Sequence, residues 1–120
     1  MKIILLQGGN SSERDISLRS SEAIAEAIIS LGHDLIKIDP IDFSEIEDLI
    51  IALKKEKPDL VFIGLHGKNG EDGIIQAVLK ASKLKFTASD HISSAIAFDK
   101  YISASMAKIH DVPVPHQHIL

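Results

Sequence analysis

Short, fully apolar runs alternate in this chain with longer segments of helical periodicity. Ile3–Leu6 and Leu60–Ile63 show no polar alternation, which is typical of strands that are buried on both faces. Between such runs, apolar residues recur at i, i+3, i+4 and i+7, as on one face of an α-helix. This order, with a short fourth strand at 84–87, predicts an α/β fold. We expect a three-layer, Rossmann-like parallel sheet that is flanked by helices and joined by right-handed crossovers.

Sequence signals also predict where the first helices begin and which face of them is buried. Ser12 with Asp15, and Ser44 with Glu47, have the spacing of capping boxes. A stripe of apolar residues predicts the buried face of the first helix, and a glycine after it suits the C′ position; these residues are Ile24, Ala27, Ile28, Leu31 and Gly32. Two further helices are expected at 93–98 and 99–110.

Composition excludes several classes of protein. The net charge of −4 argues against a nucleic-acid partner, because such domains usually carry a basic face. With no cysteine, the chain has no disulfides and no thiolate chemistry. Apolar runs fall short of the ~18 residues of a membrane span, and the first of them is too short for a signal peptide. We therefore predict a cytoplasmic protein of one ordinary-sized domain with no membrane partner.

The segment Leu65–Gly73 has the sequence Leu-His-Gly-Lys-Asn-Gly-Glu-Asp-Gly and links the apolar run 60–63 to a helical pattern. In open α/β sheets, ligands bind at this carboxyl edge of the strands. Glycines let the backbone turn sharply and approach a ligand closely. A turn alone does not require a histidine and two carboxylates between the glycines, so the segment indicates a functional loop.

The loop after the first strand begins with Gly8-Gly9 and leads to Ser11-Ser12-Glu13. It lacks the third glycine of the G-x-G-x-x-G dinucleotide fingerprint. A carboxylate at a helix N-terminus stabilises the helix but repels a pyrophosphate. Glu13 therefore suits a ligand with a positive group, such as the ammonium of an amino acid.

Three motifs together resemble the N-terminal part of the D-alanine–D-alanine ligases, which are ATP-grasp enzymes. They occur in that family's order and approximate spacing over nearly the whole chain, from about residue 2 to 115. The motifs are Gly8-Gly9-x-Ser11-x-Glu13-Arg14-x-Ile16-Ser17, Leu65-His66-Gly67-x-x-Gly70-Glu71-Asp72-Gly73-x-x-Gln76, and Asp99-Lys100. The second motif is far more specific than a lone pair of glycines.

The resemblance implies a reaction and a set of site residues. The family joins two D-alanines with ATP and Mg²⁺, through an acyl phosphate, to supply dipeptide for peptidoglycan. By resemblance, Glu13 holds the ammonium of the first D-alanine and His66 lies beside the reacting carboxyl group. Glu71 orients that histidine, and Lys100 reaches nucleotide phosphate. Ser12 and Gly67 complete the substrate-binding set.

The resemblance also implies how the chain is divided. Residues 1–98 correspond to the substrate-binding pre-ATP-grasp domain, and residues 99–120 to a truncated start of the ATP-grasp region. That region carries the magnesium ligands, so we expect no metal site here and no turnover by this chain alone. A homodimer is expected from the family. The alternatives are a stand-alone, non-catalytic binding module, or a D-alanine ligase with a different second substrate.

Several of these residues have simpler structural interpretations. Glu13 could serve only the helix N-terminus, Glu71 could be a surface carboxylate, and Ser11 and Ser12 could be caps. Asp72 and Asp99 are expected to be helix caps, and His116 and His118 the exposed end of a strand. Two positions depart from the family pattern, since Ala77 and Ala88 stand where glycine is usual.

Overall fold

The computed structural model describes residues 1–117, which contain three strands, five α-helices and one short 3-10 helix at Pro40–Asp42. The strands are parallel and lie in the order β2–β1–β3, so the connections between them cross over through helices. This confirms the predicted α/β class. The strands are β1 (Lys2–Leu6), β2 (Asp34–Ile38) and β3 (Leu60–Ile63); the helices are α1 (Arg14–Ser30), α2 (Ile46–Lys55), α3 (Ile74–Ala81), α4 (His91–Phe98) and α5 (Lys100–Ile109).

The sheet separates two helical layers. Because strand side chains alternate between faces, Ile4, Leu6 and Val61 point to one side of the sheet. There they join the buried leucines and isoleucine of two helices to form the main core. The helical members of that core are Leu49 and Leu53 of α2, and Ile75 and Leu79 of α3. Helix α1 packs against β1 and β2, so the predicted three-layer arrangement is present.

The predicted fourth strand is present only as a single parallel bridge between Val61 and Phe86. Val61 N donates to Lys85 O, and Thr87 N donates to Val61 O. This bridge therefore adds only one residue pair to the sheet, on the side of β3 away from β1. Among residues 1–117, no helix is both long and apolar enough to cross a bilayer. His118, one of the predicted exposed pair, lies outside the described residues.

The buried face of α1 differs from the predicted apolar stripe. Its buried residues are Ser17, Ser21, Ala25 and Ile28, whereas Leu31 is 72% exposed. The prediction was wrong because it counted only apolar residues. Small side chains let the first turns of α1 approach the sheet closely, and a Cβ added at Gly64 would lie 2.8 Å from Ser21 Oγ.

Both predicted capping boxes are also wrong. The N-cap of α1 is Glu13 and that of α2 is Glu45, and neither side chain makes a capping hydrogen bond among the described residues. In the turn before α1, Ser11 Oγ accepts from Glu13 N at 3.1 Å. Ser11, and not Ser12, therefore orders this turn. The glycine predicted at C′ of α1 is correct, since Gly32 has a φ of +77°.

Aspartates begin the two C-terminal helices, as the sequence predicts for Asp99. Asp99 accepts from Tyr101 N and Ile102 N at 2.9 Å, at the start of α5. Asp90 caps α4 in the same way. Hydrogen bonding from Ser93 N, followed by the hydrogen bond from Lys80, holds the pKa of Asp90 below its ordinary value. These caps fix the ends of α4 and α5, which bring Lys100 toward the sheet.

Candidate functional site

The loops that follow β1 and β3 meet at the carboxyl edge of the sheet, because these strands are neighbours. Ser11 Oγ donates to His66 O at 2.7 Å, and Asn69 Nδ2 donates to Asn10 Oδ1 at 3.0 Å. Below them, Ser17 is fully buried; its Oγ accepts from Gly8 N at 2.9 Å and donates to Gly64 O at 2.6 Å. One serine thus bonds the ends of both strands.

An ion pair supports the Gly8-Gly9 turn from the side of β2. Arg14 Nη1 lies 2.8 Å from Asp39 Oδ2 and donates to Gly9 O at 2.8 Å. Asp39 Oδ1 accepts from Gly9 N at 2.9 Å. Gly8 has a φ of +76°, and a Cβ at this residue would overlap the Asp39 carboxylate and the Arg14 guanidinium. Arg14, to which the sequence assigned no chemistry, therefore has a structural role.

Glu13, His66 and Glu71 form a cluster above the sheet edge. One ligand atom from each residue lies within 4.8 Å of those of the other two. His66 Nδ1 is 3.8 Å from Glu71 Oε1, which is longer than a hydrogen bond. The other oxygen of Glu71 accepts from Gly67 N at 2.7 Å. Glu71 therefore faces the histidine although half of its side chain is exposed.

The second ring nitrogen of His66 has a partner that the sequence analysis missed. Ser20 Oγ lies 3.1 Å from His66 Nε2. Ser20 is seven residues, or two helical turns, after Glu13, so both side chains project from the same face of α1. This spacing, together with the position of Glu13, is the signal that could have identified Ser20. Serines on helices are common, so this spacing is a weak signal by itself.

The predicted residues Glu13, His66, Glu71 and Lys100 line one cavity of about 700 Å³. Its far wall is formed by Ser89, Ser93, Ser94 and Phe98. Ser12 is exposed and lies outside the lining of this cavity within residues 1–117. Gly67 also lies outside this lining but beside the cluster, since a Cβ at this residue would lie 3.0 Å from Glu13 Oε1. The structure thus brings together four of the six predicted site residues.

A second cavity, of about 550 Å³, lies on the other side of the loop that contains His66. Its walls are mostly apolar and come from α2, α3, the turn at 40–43 and the two site loops, so His66 borders this cavity as well. Neither Glu13 nor Glu71 lines it. We take the first cavity as the candidate site, because a ligand with an ammonium group requires an anionic partner.

The candidate site has the charges that bind an amino acid. The Glu13 and Glu71 carboxylates can pair with an ammonium, while Lys100 and the His66 ring can meet anionic oxygens. The same cluster is a poor fit for Mg²⁺, which prefers six oxygen ligands. Its third ligand is an imidazole, and Glu71 Oε2 is already bonded to Gly67 N. The Lys100 ammonium suits a phosphate group.

Comparison with known proteins finds similar enzymes and structures. No family model matches the chain. The D-alanine–D-alanine ligase of Aquifex aeolicus is 40% identical over 115 residues, which cover 96% of this chain and 38% of that protein. The crystal structure of the ligase from Bacillus anthracis, complexed with ATP, matches 97% of this chain with a TM-score of 0.83 and 29% identity. This chain is therefore similar to the N-terminal part of D-alanine–D-alanine ligases.

The chain spans less than two fifths of the length of these ligases, since it covers 38% of both the Aquifex protein and the Bacillus structure. The same fold also occurs in a ligase that is named for a different second substrate. The VanG D-Ala:D-Ser ligase of Enterococcus faecalis matches 96% of this chain, with a TM-score of 0.74 and 27% identity. The fold of this region therefore does not by itself distinguish ligases that differ in their second substrate.

The departure from the family pattern at Ala88 coincides with backbone strain. Ala88 has a φ of +78° and is exposed at the rim of the cavity. A left-handed conformation costs a residue with a Cβ about 1–2 kcal/mol. A glycine at this position would avoid that cost.

We expect Ala88→Gly to raise the free energy of unfolding by about 0.5–1 kcal/mol, because relief of the strain exceeds the entropic cost of glycine. Urea denaturation measures this change. The matched control is Ala23→Gly, at an exposed position in the middle of α1, which should lower the same quantity by about 1 kcal/mol. A loss of stability in both variants would contradict the assignment of strain to Ala88.

Proposed function

We propose that this chain is the N-terminal, substrate-binding part of a D-alanine–D-alanine ligase. This ATP-dependent enzyme forms a carbon–nitrogen bond between two D-alanines, yielding D-alanyl-D-alanine for peptidoglycan synthesis together with ADP and phosphate. One observation carries the proposal. Glu13, His66, Glu71 and Lys100, which are separated by up to 87 positions in the sequence, line a single cavity.

In the proposed complex, Glu13 binds the ammonium of the first D-alanine. Its side chain is partly buried beside Gly67, whose lack of a Cβ leaves room for the carboxylate. Partial burial lowers the effective dielectric constant and strengthens an ion pair relative to water. His66 lies across the cluster from Glu13, where its ring can stabilise negative charge that develops on the substrate carboxyl group. Glu71 limits the rotation of that ring.

ATP supplies the phosphoryl group that activates the substrate carboxylate, and Lys100 is the residue of this chain that would contact its phosphates. Lys100 is the first residue of α5, behind the Asp99 cap, and lines the same cavity as Glu13. The remaining nucleotide contacts and the Mg²⁺ ligands belong to the ATP-grasp region of the proposed enzyme. The boundary of that region at residue 99, the cytoplasmic location and the homodimer stay predictions. We also propose that Ser12 contacts the D-alanine substrate.

A two-dimensional amide NMR titration of this chain with D-alanine tests the proposal, with L-alanine as the reference ligand. We expect D-alanine to shift the amide signals of Glu13, His66 and Glu71, and L-alanine to shift them less, because the cluster is chiral and its carboxylate anchors the ammonium. Glu13→Gln should remove the response. The matched variant Glu22→Gln, at an exposed position of the same helix, should preserve it.

Two outcomes of this titration would contradict the proposal. One is an equal response to both enantiomers, which would mean that the Glu13 carboxylate contacts the ammonium of any amino acid without selecting D-alanine. The other is an undiminished response in the Glu13→Gln variant, which would move the ammonium site away from Glu13.

A further inference from the structure

We propose that Ser20 is a positioning residue that fixes the tautomer of His66, with the ring proton on Nε2. Neither the sequence motifs nor the proposed role of Glu71 assigns a function to this serine. The hydroxyl group of Ser20 makes two contacts. Ser20 Oγ lies 3.1 Å from Ser17 O and 3.1 Å from His66 Nε2.

A hydroxyl group has one proton, so it can donate to only one of these partners. Ser17 O, a backbone carbonyl, can only accept. Serines in helices commonly donate to a carbonyl three or four residues back, as Ser30 also does with Ala27 O at 2.9 Å in the same helix. When the Ser20 hydroxyl group donates its proton to Ser17 O, only a lone pair of Ser20 Oγ faces His66 Nε2. The ring must then be the donor, through Nε2–H.

The opposite side of the ring agrees with this assignment. A protonated Nδ1 next to a carboxylate would form a charge-assisted or neutral hydrogen bond of about 2.7–3.0 Å. The distance from Nδ1 to Glu71 Oε1 is instead 3.8 Å, and Glu71 bonds to the backbone through its other oxygen. An Nδ1 without a proton, which has only a lone pair to present to the carboxylate, fits this spacing.

The consequence for chemistry rests on the proposed function. With Nε2 committed to Ser20, Nδ1 is the ring nitrogen that can take up a proton, and it is the one near Glu71. The ring is held from a single rigid element, because α1 carries Glu13, Ser17 and Ser20 on one face. In this arrangement the residue proposed to bind the substrate ammonium and the residue that orients the histidine have a fixed relative position.

The test is a two-bond ¹⁵N–¹H correlation spectrum of the histidine rings in this chain, recorded without ligand at a pH where the His66 ring is neutral. We expect the pattern of an Nε2–H tautomer for His66. Ser20→Ala removes the hydroxyl oxygen that accepts from Nε2–H. The Glu71 carboxylate then favours a proton on Nδ1, so the populations should shift toward the Nδ1–H tautomer. Ser20→Thr, which retains the hydroxyl group, should restore the original pattern.

The matched control is Ser30→Ala. It removes the same kind of hydroxyl-to-carbonyl bond from α1 at an exposed position remote from His66, and it should leave the ring signals unchanged. A merely structural role for Ser20 would alter backbone amide signals without shifting the tautomer. The proposal is overturned if the wild-type ring carries its proton on Nδ1, or if Ser20→Ala keeps the Nε2–H pattern. Because no ligand is present, either result is independent of the D-alanine titration.

Discussion

Replacing Glu13 by Gln in a complete ligase that carries this chain should lower kcat/KM for D-alanine by about 30- to 3,000-fold. Removing one partner of a shielded, hydrogen-bonded charge pair costs about 2–5 kcal/mol, and each 1.4 kcal/mol is a factor of ten. Gln has nearly the same shape as Glu, so the space beside Gly67 remains filled. The expected loss therefore reports the charge of the carboxylate and is measured by steady-state kinetics of dipeptide formation.

The charge-reversing variant Glu13→Lys should have no detectable activity, because it places a cation against the substrate ammonium. The matched pair Glu22→Gln and Glu22→Lys makes the same changes at an exposed position two and a half turns along α1, and both should retain activity. Thermal unfolding of all four variants separates loss of function from loss of fold. An active, folded Glu13→Lys enzyme would show that another group binds the ammonium.

Gly8→Ala should strongly destabilise the fold, lowering the free energy of unfolding by about 2–5 kcal/mol. The left-handed backbone contributes about 1–2 kcal/mol of this loss. The new Cβ would also overlap Asp39 and Arg14 and so break the contacts that hold the Gly8-Gly9 turn. Polar groups left without partners there cost about 1–3 kcal/mol more. Urea denaturation gives the change.

Gly32→Ala is a control with nearly the same backbone strain. Gly32 has a φ of +77°, against +76° for Gly8, but a Cβ at Gly32 would have no neighbour within 4 Å among the described residues. Its loss should be about 1 kcal/mol, from backbone conformation alone. The difference between the two variants measures the Arg14–Asp39 support of the turn. Equal losses would mean that this support does not stabilise the fold.

The fold was predictable because hydrophobic patterning specifies it directly. Two apolar runs and three amphipathic segments identified the strand and helix order, and β1 and β3 begin and end within one residue of the predicted limits. The errors came from polar residues. Ser17 and Ser21 are buried on the face of α1 that the apolar count assigned elsewhere. Burial of a serine depends on partners such as Gly64 O, which lies 47 residues away in sequence.

The candidate site was predictable only in part, for the same reason. Motifs indicated Glu13, His66, Glu71 and Lys100, and the packing of α4 on α3 and of α5 on α4 accounts for their common cavity. The supporting contacts were not predictable. Asp39 follows β2 and supports a turn that follows β1, and Ser20 reaches a loop 46 residues away. Such partners depend on how the strands are ordered in the sheet, which local patterns do not specify.

The bond from Ser17 to the ends of both β1 and β3 has a consequence for how the site forms during folding. Its bond to Gly64 O, like the contacts of Ser11 with His66 and Asn10 with Asn69, closes a loop of 47 to 59 residues. The chain must lose conformational entropy to close such loops before their contacts can stabilise the fold. Parallel strands with long connections also fold slowly for this reason. The binding cluster is therefore a late product of folding, and no short peptide that carries only one of the motifs will reproduce it.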